Sequence, residues 1–123
     1  MSETPTRERV WQTPPNVRLC PLDALADPGS RNFVLQIGSA FFHGFVVRKG
    51  DDVYGYVDRC PHAGLPLARQ LDDYLTPKKD LITCVWHGAL FRLEDGACMG
   101  GPCHGASLTP WPVRVEDGWV KTA

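Results

Sequence analysis

The sequence has no long apolar run, no excess of one charge and no stretch that predicts a long amphipathic helix. A membrane-spanning helix needs about 20 consecutive apolar residues, so no membrane partner or membrane span is predicted. The net charge of -1 gives no reason to expect nucleic acid as a partner. Residues 1–10 are polar and contain no apolar signal segment, so a cytoplasmic protein is expected.

The length and composition are those of one folded domain. The chain has 123 residues, of which 43% are hydrophobic and 22% charged. We predict a flexible N-terminal arm over residues 1–15 and a single domain over residues 16–123. The 12 glycines and 11 prolines are scattered, which indicates a β-rich fold with many turns. They are densest at 60–66 and 100–112, which predicts two structured loops close together at one end of the domain.

Short apolar stretches separated by turn residues predict an antiparallel, mostly β fold. Residues 32–37 and 41–48 have the composition of strands, and residues 49–52 form a turn into a third strand over 53–57.

The C-terminal half carries two hairpin signals. The Asp-Gly pairs at 95–96 and 117–118 are flanked by apolar or β-branched residues, which is typical of tight hairpins. Trp111, Val113 and Val115 alternate with polar residues or proline, so we expect one buried and one solvent-facing side there.

Two short motifs each combine a cysteine with a histidine. The first contains Cys60 and His62, and the second contains Cys84 and His87. In a reducing compartment such clusters indicate metal more often than disulfides. Two cysteines and two histidines suit zinc, although structural zinc sites usually pair like ligands within one motif. Mixed motifs fit a pair of irons better, one bound by two cysteines and the other by two histidines. Coincidence, with buried cysteines and surface histidines, is the third interpretation.

The two motifs resemble the Cys-x-His and Cys-x-x-His motifs of the Rieske [2Fe–2S] ferredoxin family. The resemblance implies an antiparallel β-sandwich or barrel, with a small cluster-binding subdomain, roughly residues 58–106, formed by the two ligand loops. It also implies one [2Fe–2S] cluster per chain. Cys60 and Cys84 would bind the inner iron, and His62 and His87 would bind the outer iron near the surface.

The chain departs from the high-potential members of that family at four positions. Those members brace their ligand loops with a disulfide, whereas the matching positions here are Leu65 and Trp86. They also have serine and tyrosine hydroxyls near the cluster, where this chain has Ala89 and Phe91. Fewer donors leave the reduced cluster less stabilised, which predicts a potential toward the lower end of about −150 to +300 mV. The Gly-Pro pair at 101–102 stands where the family has a third loop that covers the cluster.

The resemblance implies an electron carrier that is not itself an enzyme. Its donor would be a flavin-dependent reductase, and its acceptor an oxygenase such as an aromatic-ring-hydroxylating dioxygenase. An oxygenase subunit needs a further iron bound by two histidines and a carboxylate, and only His43 and His104 are left for it. The alternatives are a small Rieske-like subunit of a nitrite reductase or other oxidoreductase complex, and a zinc-stabilised binding module.

Three further cysteines need an account. Cys20 is expected in the core or at an edge of the first strand. The sequence leaves open the roles of Cys98, Cys103 and His104. Of these, Cys103 and His104 are expected close to the cluster.

Overall fold

Antiparallel strands make up nearly all of the regular structure in the part of the chain that the structure describes. The fold is that of a computed structural model, which describes residues 10–59, 61, 67, 72, 74–84, 88–101 and 105–123. Across these residues, no helix is long and apolar enough to cross a membrane. The strands in chain order are β1 Arg18–Pro21, β2 Gly29–Ile37, β3 Ala40–Lys49, β4 Asp52–Val57, β5 Leu81–Thr83, β6 Leu90–Arg92, β7 Cys98–Gly100, β8 Val113–Glu116 and β9 Trp119–Thr122.

The described strands form three antiparallel sheets. Their strand orders are β2-β3-β4, β1-β9-β8 and β5-β6-β7. The first sheet confirms the three strands predicted in the N-terminal half. Its two turns contain Gly38 and Gly50, both at φ 65°, a backbone conformation that glycine adopts without steric cost. The predicted mostly β, antiparallel fold is therefore confirmed.

Strand β3 belongs to two separate hydrophobic cores because its side chains alternate between the faces of the sheet. Phe42 and Val46 face one core, and Phe45 and Val47 face the other. The basal core consists of the buried residues Cys20, Leu25, Phe42, Val46, Val57, Trp111 and Val120. The site core consists of the buried residues Phe45, Val47, Tyr56, Leu67, Tyr74, Ile82, Cys84, Ala89, Phe91, Leu93 and Leu108.

The C-terminal hairpin agrees with its sequence signal except at one residue. Asp117 and Gly118 connect β8 to β9 with φ angles of 54° and 77°, as an Asp-Gly hairpin turn requires. Trp111 is buried and Val113 half-buried, but Val115 is 36% exposed. The expected buried side is wrong at Val115, because β8 is the outer strand of its sheet.

The Asp-Gly pair at 95–96 lies in a longer connection than a two-residue hairpin. Residues 93–97 join β6 to β7, and Gly96 has φ 70°. The Gly96 N–H donates to the Arg92 carbonyl (3.0 Å), and the Arg92 side chain forms an ion pair with Asp95. The hairpin is thus present, and its loop is wider than predicted.

Residues 10–16 hydrogen-bond to the body of the domain. The Val10 N–H donates to the Phe41 carbonyl (3.0 Å), and the indole N–H of Trp111 donates to Thr13 Oγ1 (2.9 Å). The Asn16 N–H donates to the Thr122 carbonyl (2.9 Å). The boundary of the N-terminal arm stays a prediction, since residues 1–9 lie outside the described part.

Candidate metal centre

The second predicted ligand loop begins directly after β5. Cys84 is fully buried in the site core and takes no part in a disulfide. Its N–H donates to the Ala89 carbonyl, and its own carbonyl accepts the Gly88 N–H, both at 2.9 Å. Gly88 has φ 69°, a conformation that glycine adopts without steric cost. The two hydrogen bonds hold Cys84 close to Gly88 and Ala89 at the end of the β5-β6 hairpin.

The third loop packs directly on this second loop. Gly101 follows β7 with φ 90°, and a Cβ added there would lie 2.8 Å from the Cα of Ala89 and 3.3 Å from the Gly88 carbonyl oxygen. Only glycine allows so close a backbone approach at that φ. The residue that follows β7 therefore packs against Gly88 and Ala89, at the C-terminal end of the second ligand loop.

Asp58 precedes the first predicted ligand loop, and its carboxylate accepts a hydrogen bond from Leu67, which follows that loop. The Leu67 N–H donates to Asp58 Oδ1 (2.9 Å), and the Tyr74 hydroxyl donates to Oδ2 (2.8 Å). The Asp58 N–H donates to the His43 carbonyl on β3 (3.0 Å). Sequence reasoning did not single out Asp58. Its only signal is an acidic residue at the end of an apolar strand, two positions before Cys60.

Three of the four predicted ligands, Cys60, His62 and His87, lie outside the described residues, as do Leu65 and Trp86. Within the described part, no group of three or more His, Cys, Asp or Glu side chains is placed to hold a metal ion. Of the predicted donors the structure therefore places only Cys84. A buried thiol in a closed loop suits the inner, cysteine-bound iron of the predicted cluster.

Two described neighbours of Cys84 in the site core have no side-chain hydrogen-bond donor. Ala89 and Phe91, the positions that lack hydroxyls, are both fully buried in the site core. Cys98 on β7 lies opposite Phe91 in the sheet and is disulfide-bonded. The expectation that cysteines in this chain signal metal therefore does not extend to Cys98.

Two other residues considered in the sequence analysis, Cys20 and His43, lie within strands β1 and β3. Cys20 is a free thiol buried in the basal core, as expected, and burial raises its pKa. His43 is half-buried within β3. Cys103 and His104 lie outside the described residues.

The chain is similar in sequence to proteins of known family. The family model for the Rieske [2Fe-2S] domain matches residues 17–116. Ferredoxin CarAc from Metapseudomonas resinovorans is 31% identical over 96 residues, which are 78% of this chain and 82% of that protein. The chain belongs to the Rieske [2Fe–2S] family. The predicted cofactor, a Rieske-type [2Fe–2S] cluster, is thereby confirmed.

The similar solved structures include both ferredoxins and terminal oxygenases. The ferredoxin of carbazole 1,9a-dioxygenase from Nocardioides aromaticivorans IC177 has a TM-score of 0.67 at 25% identity, covering 90% of this chain and 98% of that one. A chain in the complex of reduced oxygenase and oxidized ferredoxin of carbazole 1,9a-dioxygenase has a TM-score of 0.67 at 28% identity, covering 87% and 91%. The terminal oxygenase from Nocardioides aromaticivorans IC177 shares the fold at 20% identity, but this chain spans only 30% of it.

Proposed function

We propose that this chain is a Rieske ferredoxin that carries single electrons from a flavin-dependent reductase to an oxygenase, such as an aromatic-ring-hydroxylating dioxygenase. One observation carries the proposal. The chain spans 82% of the CarAc ferredoxin and 98% of the Nocardioides ferredoxin, but 30% of a terminal oxygenase. The similarity therefore extends over most of each ferredoxin, but over less than a third of the oxygenase chain.

The proposed ligands are Cys60 and Cys84 for the inner iron and His62 and His87 for the outer iron. When bound, the cluster supplies a one-electron redox couple. Cys84 supports its assigned role, since its fully buried position excludes water from the cysteine side. Histidine ligands near the surface would give a docked partner a short path to the outer iron.

The protein is expected to have a low potential for its class. Ala89 and Phe91 place only apolar groups in the buried surroundings of the second loop. Reduction adds negative charge to the cluster, and no hydroxyl from these two positions stabilises that charge. We expect a midpoint in the lower part of the range of about −150 to +300 mV.

The ligand set is tested on the purified protein by colour, metal content and EPR. We expect a reddish-brown protein with two irons per chain and a rhombic EPR signal after reduction with dithionite. His87→Ala should abolish that signal. His43→Ala is the matched control because it removes another histidine, on β3, that has no place in the proposed ligand set. A colourless protein with one zinc would establish the binding-module alternative instead.

The carrier role is tested by mixing the protein with a flavoprotein reductase and NADH, and following its visible absorbance. The absorbance should bleach, and a carbazole-type terminal oxygenase with its substrate and dioxygen should restore it. Absence of reoxidation by any such oxygenase, with nitrite-dependent reoxidation in a nitrite reductase complex, would favour the nitrite reductase alternative.

A further inference from the structure

A buried carboxylate, that of Asp58, lies two positions before the first proposed ligand, Cys60. Asp58 is 6% exposed, and the ion pairs among the described residues do not include it. Burying a carboxylate is costly unless it is well hydrogen-bonded. Such a group is retained where its hydrogen bonds contribute something that an apolar residue cannot.

The hydrogen bonds of Asp58 reach three separate segments of the chain. Oδ1 accepts the Leu67 N–H (2.9 Å), while Oδ2 accepts the Tyr74 hydroxyl (2.8 Å) and the Asn32 amide (3.4 Å). The same Asn32 amide donates to the Tyr74 hydroxyl (2.7 Å). We call these four residues the Asp58 network. Asp58 and Leu67 flank residues 59–66, so the network ties both ends of the first ligand loop together.

Tyr74 extends the network to the second ligand loop. Its carbonyl accepts the Thr83 N–H (2.9 Å), one residue before Cys84. Its ring stacks on Phe45 of β3, with centroids 4.1 Å apart and planes 5° from parallel. The Tyr74 side chain, stacked on Phe45 of the β2-β3-β4 sheet, therefore connects Asp58, which precedes the first ligand loop, to the backbone that leads into the second.

We propose that Asp58 is a positioning residue of the cluster site, and that the Asp58 network holds the two ligand loops at a fixed separation. The proposal rests on the ligand set given under Proposed function. With Leu65 and Trp86 at the positions of the loop-bracing disulfide, no covalent bond can form there. The Asp58–Tyr74 hydrogen bond supplies a non-covalent connection between the same two loops.

The test compares two tyrosines that each lose one buried hydroxyl. Tyr74→Phe removes the hydrogen bond to Asp58, whereas Tyr56→Phe removes a hydrogen bond to the Leu93 carbonyl (2.5 Å) in the same site core. Both variants delete one oxygen from a buried tyrosine, and only the first breaks the connection between the loops. Cluster half-life, followed by visible absorbance below the unfolding transition, and the EPR signal are measured in the holoprotein.

We expect Tyr74→Phe to lose its cluster on the order of tenfold faster than Tyr56→Phe, with a broadened or shifted EPR signal in Tyr74→Phe alone. Asp58→Ala should have a larger effect than Asp58→Asn, because the asparagine oxygen can still accept the Leu67 N–H. If Asp58→Ala does not fold, the cluster half-lives and EPR signals of the two tyrosine variants still test whether the Asp58 network positions the ligand loops.

The two proposals fail in different ways. If the wild-type protein binds no [2Fe–2S] cluster, the proposed function is overturned. If the wild type carries the cluster and the two tyrosine variants match in half-life and EPR signal, the Asp58 network does not position the ligands. The carrier function then stands without it.

Discussion

Replacing Gly101 with alanine tests the contact between the third loop and the second ligand loop. Gly101 has φ 90°, and an added Cβ would lie 2.8 Å from the Cα of Ala89. A side chain at such a φ costs about 1–2 kcal/mol. Forcing extra atoms into a packed contact adds about 1–3 kcal/mol. Because the contacted atom belongs to the backbone, the strain cannot be relieved by a side-chain rotation. We expect Gly101→Ala to lower the free energy of unfolding by about 2–5 kcal/mol.

Gly105 provides the matched control. Its φ of 85° is nearly that of Gly101, but a Cβ added there meets nothing within 4 Å. Gly105→Ala should therefore lower the free energy of unfolding only by the cost of the positive φ, about 1–2 kcal/mol. The difference between the two variants isolates the loop contact from the backbone preference. For a domain of this size, each kcal/mol corresponds to about 3–5 °C in the unfolding midpoint.

Two measurements on the holoprotein make the comparison. Far-ultraviolet circular dichroism gives the thermal midpoint, and visible absorbance at a fixed temperature gives the rate of cluster loss. Gly101→Ala should unfold at a lower temperature than Gly105→Ala and release its cluster sooner, because it pushes the covering loop away from Ala89. Equal midpoints and equal rates in the two variants would show that this contact does not support the cluster site.

The remaining predictions concern the potential, alkaline stability and the disulfide. Phe91→Tyr should raise the midpoint potential in a potentiometric titration, because a hydroxyl can stabilise the reduced cluster, and an unchanged potential would refute that reasoning. Burial raises the pKa of Cys20, so the unfolded chain should lose this proton first. Urea unfolding should therefore show stability falling as pH rises above the ordinary thiol value of 9.0, and falling less in Cys20→Ala. Cys98 is disulfide-bonded while Cys20 and Cys84 take no part in a disulfide, and the remaining cysteines in the sequence, Cys60 and Cys103, are the candidates for its partner. The proposed ligand set requires Cys103, and non-reducing peptide mapping of the holoprotein that links Cys98 to Cys60 would contradict it.

The longer strands could be predicted from the sequence because their signals are local. Strands β2, β3 and β4 have clear apolar patterns and glycine-containing turns within a few residues of one another. The strands of the β5-β6-β7 sheet have three residues each, which is too short for periodicity to be recognised. The predicted burial of Val115 is wrong because alternation specifies the two faces of a strand but not how far the core extends along it.

The ligand motifs could be recognised in the sequence because spacing and residue type define them. The residues that hold the ligand loops in place could not be predicted. The partners of Asp58 are 9, 16 and 26 residues away in sequence, at Leu67, Tyr74 and Asn32. No local pattern connects such distant residues, and each has an ordinary interpretation alone. The closeness of Gly101 to Ala89 is likewise a property of tertiary packing, because Gly101 resembles any turn glycine in the sequence.

Strand β3 has a consequence for how the protein opens. Phe45 and Val47 secure the half with the ligand loops, while Phe42 and Val46, interleaved on the same strand, secure the other half. Neither half can detach while β3 stays intact. Fluctuations that expose the cluster region must therefore be either small loop movements or cooperative unfolding of the whole domain. In amide hydrogen exchange, β3 should be among the slowest segments, and cluster removal should speed exchange in both cores together.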